Sequence, residues 1–151
     1  MTITSNVVSN TLTYQQIVAL ATMLLRGQVD KAGRPAIDHA FRVVDRLPKS
    51  ATYGEAQVAL LHDVLEDTTA TEADLRALGV SEWVLTEVVA LTRLQSETYA
   101  AYIDRVAKRP VARMVKLADI ADHLGLVVGF QLPESLRERY TRARDVLRAA
   151  K

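Results

Sequence analysis

Three short segments of this chain set acids and histidines into stretches that otherwise read as apolar helix faces. The densest is LLHDVLEDT, residues 60–68. On a helix, His62 and Glu66 are i,i+4 and share a face, and Asp63 and Asp67 share another about 100° away. Val64 and Leu65 are left to point towards a core. Burying acids on an apolar helix is costly without a compensating cation, and a bound metal ion would supply one. The plainer reading is a solvated acidic helix end with a surface histidine. The second segment is VKLADIADHLGL, residues 115–126. There Asp119 and His123 are i,i+4 among Val115, Leu117, Ala118, Ile120, Ala121 and Leu124, with Asp122 beside them. Lys116, three residues before Asp119, offers an ordinary helical salt bridge as the simpler explanation. The third is GRPAIDHAFRVV, residues 33–44, where His39 opens a helix whose Ala40, Phe41, Val43 and Val44 are read as inward-facing. Taken alone, such a histidine is more often a hydrogen-bonded core residue than a ligand.

Composition limits the chemistry. With no cysteine, the 151-residue chain has no disulfide, thiolate zinc site, iron–sulfur cluster or cysteine nucleophile. Nitrogen ligands for a metal can come only from His39, His62 and His123, the 3 histidines present. Lys+Arg of 19 against Asp+Glu of 18 leaves a net charge of +1, which gives no footprint for nucleic acid or anionic lipid. The C-terminal run of Arg137, Arg139, Arg142, Arg144 and Arg148 is interleaved with Glu134, Glu138 and Asp145, the pattern of a solvated face rather than a nucleic-acid interface. Residues 1–13 lack the basic and apolar regions of a leader peptide, and no apolar run reaches membrane-span length, so the expectation is a cytoplasmic chain.

The elements that must position these residues read as helices throughout. Thr13-x-x-Gln16, Thr52-x-x-Glu55 and Thr71-x-x-Asp74 are capping boxes, and Ser81 caps SEWVLTEVVALTR. Helices are expected over residues 14–27, 37–47, 55–67, 72–79, 82–93, 97–108, 111–128 and 134–150, with VDKAGRP (29–35) a loop. No strand alternation, repeat or linker interrupts them. The expectation is a single all-α domain of about seven or eight helices spanning residues 1–151, with residues 1–12 loosely packed. Trp83, Tyr99 and Tyr102 fall at helical spacings that favour the core over an interface.

The order G-x-P-x-I-x-H (33–39), HDVLEDT (62–68) and KLAD (116–119) resembles the HD-domain metal-dependent phosphohydrolases. More specifically it is similar to the SpoT-type (p)ppGpp 3′-pyrophosphohydrolase branch and its small stand-alone homologues. RGQVDKAGRPAIDH, ALLHDVLEDTTATEADLRALG, ETYAAYIDRVAKRPVARMVKLAD and ERYTRARDVL carry the likeness over most of the chain. The resemblance implies an HD-type helical bundle and four metal ligands, His39, His62, Asp63 and Asp119. It implies that Glu66 and Asp67 orient or deprotonate an attacking water, and it favours Mn²⁺ over other divalent ions. Two imidazoles and two carboxylates are a mixed nitrogen and oxygen set suited to such an ion. Lys31 and Lys116, with Arg34 a weaker choice, could neutralise phosphate charge. His123 stands where the branch carries a substrate-side Asn, Asp30 where it carries an Arg, and Ala36 where it carries a Tyr. The implied activity is hydrolysis of a small phosphorylated nucleotide, with the 3′-pyrophosphate of (p)ppGpp the leading substrate. The alternatives are an HD domain that binds a nucleotide without turning it over, and an HD phosphohydrolase for a different nucleotide.

Overall fold

Helix starts are set by side chains bonding back to the backbone. Thr13, Thr52 and Thr71 each accept from the N3 backbone N–H, while Gln16, Glu55 and Asp74 return a bond to the cap. Ser81 and Thr98 cap the next two long helices the same way with one bond each. In the computed structural model, which describes residues 10–125 and 130–151, nine helical segments follow one another among the described residues. They are α1 Tyr14–Leu24, α2 Ala36–Asp45, α3 Tyr53–Leu61, α4 Val64–Asp67, α5 Glu72–Ala77, α6 Glu82–Leu91, α7 Tyr99–Ala107, α8 Pro110–Leu124 and α9 Glu134–Ala149. The all-α expectation therefore holds. Residues 1–9 of the expected loose N-terminus, and the expected helix beyond Gly125, lie outside the described residues. Leu12 is described: its N–H donates to the Gly79 carbonyl at 2.8 Å, and its side chain packs on the core. Gly79 has φ +99°, a conformation that favours glycine.

The count exceeds the expected eight because one helix breaks. The apolar pattern runs a single helix through residues 55–67, but α3 ends at Leu61 and α4 begins at Val64. His62 Nδ1 lies 2.6 Å from the Ala59 carbonyl, the acceptor an unbroken helix would give to the Asp63 N–H. Asp63 sits at φ −98°, ψ −5°, off the helical ladder. The expected stacking of His62 with Glu66 and of Asp63 with Asp67 on one continuous helix is thus replaced. The break instead turns neighbouring His62 and Asp63 towards each other, with Nε2 and Oδ2 3.1 Å apart.

The core gathers around α3, whose residues Val58, Ala59, Leu60 and Leu61 are all fully buried. Ile17 and Ala21 of α1, Ala40 and Val43 of α2, Leu85 and Val88 of α6, and Val115 and Ile120 of α8 join them in one apolar cluster. Ile103 and Val106 of α7 and Leu147 of α9 extend it. Two apolar residues depart from the sequence expectation. Phe41 is on the outer edge of α2, and Trp83 lies half-exposed over Gly54, where a Cβ would stand 3.0 Å from the indole. Tyr102 is buried as expected. No helix among the described residues is long and apolar enough to cross a membrane.

Truncating the centre of this core should separate from trimming the surface. Leu60→Ala, at a fully buried position, is expected to destabilise by about 2–5 kcal/mol. Leu94→Ala, at 59% exposure, is expected to stay within about 0.5 kcal/mol. Urea unfolding of both variants checks this; equal losses would contradict the burial.

Candidate metal centre

Two helices and one helix break deliver the polar cluster. His39 comes from the first turn of α2, His62 and Asp63 from the break between α3 and α4, and Asp119 from the middle of α8. His39, His62 and Asp119 are 2–3% exposed, yet nothing apolar separates them. His39 Nε2 is 3.0 Å from Asp119 Oδ1 and 3.6 Å from Asp63 Oδ2. His62 Nε2 is 3.1 Å from Asp63 Oδ2 and 3.6 Å from Asp119 Oδ1. One ligand atom from each of the four residues lies within 4.8 Å of every other.

The tautomers follow from the outer nitrogens. His62 Nδ1 faces the Ala59 carbonyl at 2.6 Å, so it carries a proton and donates. His39 Nδ1 faces the Asp122 carboxylate at 2.8 Å and donates likewise. In the neutral rings both Nε2 lone pairs then point at carboxylate oxygens. Lone pairs meeting lone pairs at about 3 Å are repulsive unless a cation sits among them. His62 Nε2 is buried and has no hydrogen bond of acceptable geometry. Ligands about 2.1 Å from one ion stand about 3 Å apart at right angles, close to the separations found here. The donor set fits a divalent metal. A proton is the other cation that answers the same demand. Burial pushes the His62 imidazolium down, but Asp63 and Asp119 outweigh it and hold its pKa well above the usual value. His39 is raised for the same reason, burial being overcome by Asp119 and Asp122. Burial also opposes ionisation of Asp63, yet His62 pulls that carboxyl down to about 2.

The fourth side of Asp119 is closed by neighbours on its own helix. Lys116 Nζ sits 2.7 Å from Oδ2, so the simple salt bridge is present, but both partners are largely buried. His123 Nε2 sits 3.1 Å from Oδ1. The His123 ring stacks between His39 at 4.7 Å and Tyr140 of α9 at 5.2 Å.

A cleft opens from this cluster, lined by Lys31, Glu66, Asp67, Lys116 and His123 together with His39, Asp63 and Asp119. Of the site residues inferred from sequence, only His62 and the weaker candidate Arg34 do not border it; His62 is buried against Asp63, which does. Glu66 accepts from the Arg93 backbone N–H, and burial, with Asp63 nearby, pushes its carboxyl up. Burial and Asp63 raise Asp67 as well, while Lys31 across the cleft works against them. Sequence reasoning missed Arg93, Tyr99, Arg139 and Tyr140, which complete the wall. They carry no local motif and arrive from the loop after α6, from α7 and from α9. Arg139 lies over the Tyr99 ring at 4.8 Å, and the Arg139 Nε and Tyr99 Oη are buried without a partner. Arg34 does not enter the cleft wall; it pairs with Asp30 at 2.9 Å.

No protein-family model matches the chain, and no curated protein matches it by sequence. Among solved structures it is similar to a metazoan ortholog of SpoT, described as hydrolysing ppGpp and acting in starvation responses. That match has a TM-score of 0.74 at 26% identity and covers 91% of this chain and 86% of the other. The resemblance drawn from the three motifs is therefore met by a shared fold over nearly the whole length.

Proton and metal compete for the same lone pairs, which gives a pH test. The folded pKa of His62 is raised above its unfolded value near 6.5, so the charged pair stabilises fully below that value. That contribution is lost as pH rises through the folded pKa. Metal ligation needs the deprotonated rings and gains over the same interval. Metal-free protein is expected to melt lower as pH is raised from about 6 to about 9, and the Tm gain on adding Mn²⁺ is expected to grow. A gain of the same size at both ends would rule out this competition.

Proposed function

We propose that this chain is a divalent-metal-dependent phosphohydrolase that removes the 3′-pyrophosphate of (p)ppGpp. The observation that carries the reading is the convergence of His39, His62, Asp63 and Asp119 beside a cleft whose walls bear both acids and basic side chains. The SpoT-ortholog fold and the reported ppGpp hydrolysis of that neighbour support the substrate.

His39, His62, Asp63 and Asp119 would hold the ion. When bound, it supplies an acidified water and a Lewis acid for a phosphoryl oxygen. We read it as Mn²⁺: four protein ligands fill a tetrahedral zinc site, whereas a six-coordinate ion keeps positions for water and substrate. The chain's own residues do the rest. Glu66, one turn beyond Asp63 and held by the Arg93 backbone N–H, accepts the proton of the attacking water. Its raised pKa brings it closer to the range in which a general base works at neutral pH. Asp67, beside it, orients that water. Lys31, Arg93 and Arg139 border the cleft and bind the phosphates of a polyanionic substrate. Lys116 and His123 keep Asp119 ionised and oriented while lining the substrate side. Tyr99 and Tyr140 give the sugar or base a flat apolar wall.

The base end of the site is this chain's own. Asp30 is not a free negative charge facing the nucleotide, because both of its oxygens are occupied by Arg34, Arg42 and backbone N–H groups. The buried Ala36 leaves room beside it.

Mn²⁺-loaded protein is expected to convert ppGpp to GDP and pyrophosphate, read by product identity in a panel that includes pppGpp and other nucleotide phosphates. The hydrolase reading fails if every member of the panel is left intact; ppGpp binding without products would mark a nucleotide-binding domain instead. Glu66→Gln is expected to lower kcat about 10²–10⁴-fold with Mn²⁺ affinity retained. Asp63→Ala is expected to lose Mn²⁺ binding and the Tm gain that Mn²⁺ gives. If its Tm in Mn²⁺ matched that of the wild type, Asp63 would not be a ligand.

A further inference from the structure

The His39 ring is held from behind by a chain of charges that reaches the loop before it. Asp122 Oδ2 accepts from His39 Nδ1 at 2.8 Å. The same carboxylate accepts from Arg42 Nε through both oxygens, at 3.0 and 3.1 Å, and from Arg46 Nε at 3.2 Å. Arg42 extends further, its Nη2 donating to Asp30 Oδ2 at 3.0 Å. Asp30 in turn organises its own loop. Oδ1 accepts from the backbone N–H groups of Ala32 and Arg34, each at 2.9 Å, and Oδ2 also accepts from Arg34 Nε at 2.9 Å. The side chains of Asp30 and Asp122 are 3% and 2% exposed. Lys31, on the cleft wall, lies between Asp30 and Ala32, whose backbone N–H this carboxylate anchors.

Two buried carboxylates need cations, but separate cations would serve. Here one planar guanidinium serves both, so a rigid fork sets the spacing between the loop and the carboxylate behind His39. The histidine's partner fixes which nitrogen faces the cluster, and tethering that partner fixes the ring's orientation. Neither Asp30 nor Arg42 is one of the four residues of the cluster.

We infer that Asp30 and Arg42 are positioning residues that act through Asp122, aligning His39 for the metal and coupling the Lys31 loop to the filled metal centre. The inference rests on the reading of the four-residue cluster as a metal site. Coupling between two sites is reciprocal. Loosening the loop at Asp30 therefore weakens metal binding, and loosening Arg42 weakens substrate binding, although neither side chain reaches the ion.

The test is calorimetric titration of Mn²⁺ into metal-free wild type, Asp30→Asn, Arg42→Met and Arg42→Lys, without substrate. KM for ppGpp at saturating Mn²⁺ and the metal-free Tm are measured alongside. Arg42→Met is expected to weaken Mn²⁺ binding about 10–100-fold. Asp30→Asn is expected to weaken it about fivefold or more and to raise KM. Arg42→Lys restores charge without the fork and is expected to recover only part of the affinity. The double variant Asp30→Asn with Arg42→Met should lose no more than Arg42→Met alone, since both break one path. Wild-type Mn²⁺ affinity in Asp30→Asn and Arg42→Met, whatever their Tm, would overturn the inference and leave the network a structural clamp. Asp30→Asn changes shape least, so it decides the matter if Arg42→Met does not fold. Failure of the wild type itself to bind Mn²⁺ would overturn the metal reading and this inference with it.

Discussion

Asp119 is an ionised carboxylate at 2% exposure in the interior of a helical domain, and much of the architecture answers the demand it creates. A buried charge is tolerated only when it is paired and hydrogen-bonded. Lys116 takes one oxygen, and His39, His62 and His123 gather on the other. Burial alone would push this carboxyl towards neutrality; Lys116 and the histidines hold its pKa well below the usual range. The pairing remains incomplete in one respect. The imidazoles whose outer nitrogens are already donating can meet Asp119 and Asp63 only through lone pairs, and so the centre requires one more cation.

The helices are placed accordingly. α8 contributes Asp119 with its neighbours Lys116, Asp122 and His123, and it packs against α2, α3, α6, α7 and α9. α3 runs through the core with four successive buried residues and then stops, so that its last polar neighbours enter the cluster rather than solvent. α9 adds Tyr140 against His123 and places Arg139 over Tyr99 on the cleft wall. The apolar core and the polar centre are therefore parts of one arrangement. The same packing that buries Val58, Val115 and Ile120 also buries His39, His62, Asp119, Asp122 and His123, where their charges act more strongly than in water.

Charge also organises what lies around the centre. On one side, Asp122, Arg42 and Asp30 run back from His39 into the loop that bears Lys31. On the other, Glu66 and Asp67 leave α4 facing the cleft with raised pKa values, close to Arg93 and Lys31. Acids that remain low are those tied to histidine or arginine, and acids pushed up are those left open to the cleft. That division separates groups suited to holding a cation from groups suited to taking a proton.

Much of this was legible in the residues themselves. Helical periodicity and the Thr13, Thr52 and Thr71 capping boxes determined the helix starts, because a side chain that bonds its own N-terminal turn acts locally. Three histidines and no cysteine limited the nitrogen ligands, and the family resemblance carried by G-x-P-x-I-x-H, HDVLEDT and KLAD implied His39, His62, Asp63 and Asp119 as the set. Other features depended on contacts between residues far apart in the chain. The break at His62 and Asp63 is invisible to an apolar pattern that continues through it, since it takes one ring nitrogen on a carbonyl and the other facing α8. Arg42 and Asp122 are 80 positions apart, and Arg93, Tyr99, Arg139 and Tyr140 meet on one wall from the loop after α6 and from two helices, α7 and α9. Sequence alone determined which chemistry the chain could supply and which helices would carry it. Tertiary packing decided which lone pairs face one another, because that depends on where the chain folds back and on which nitrogens the surrounding backbone and carboxylates have already engaged.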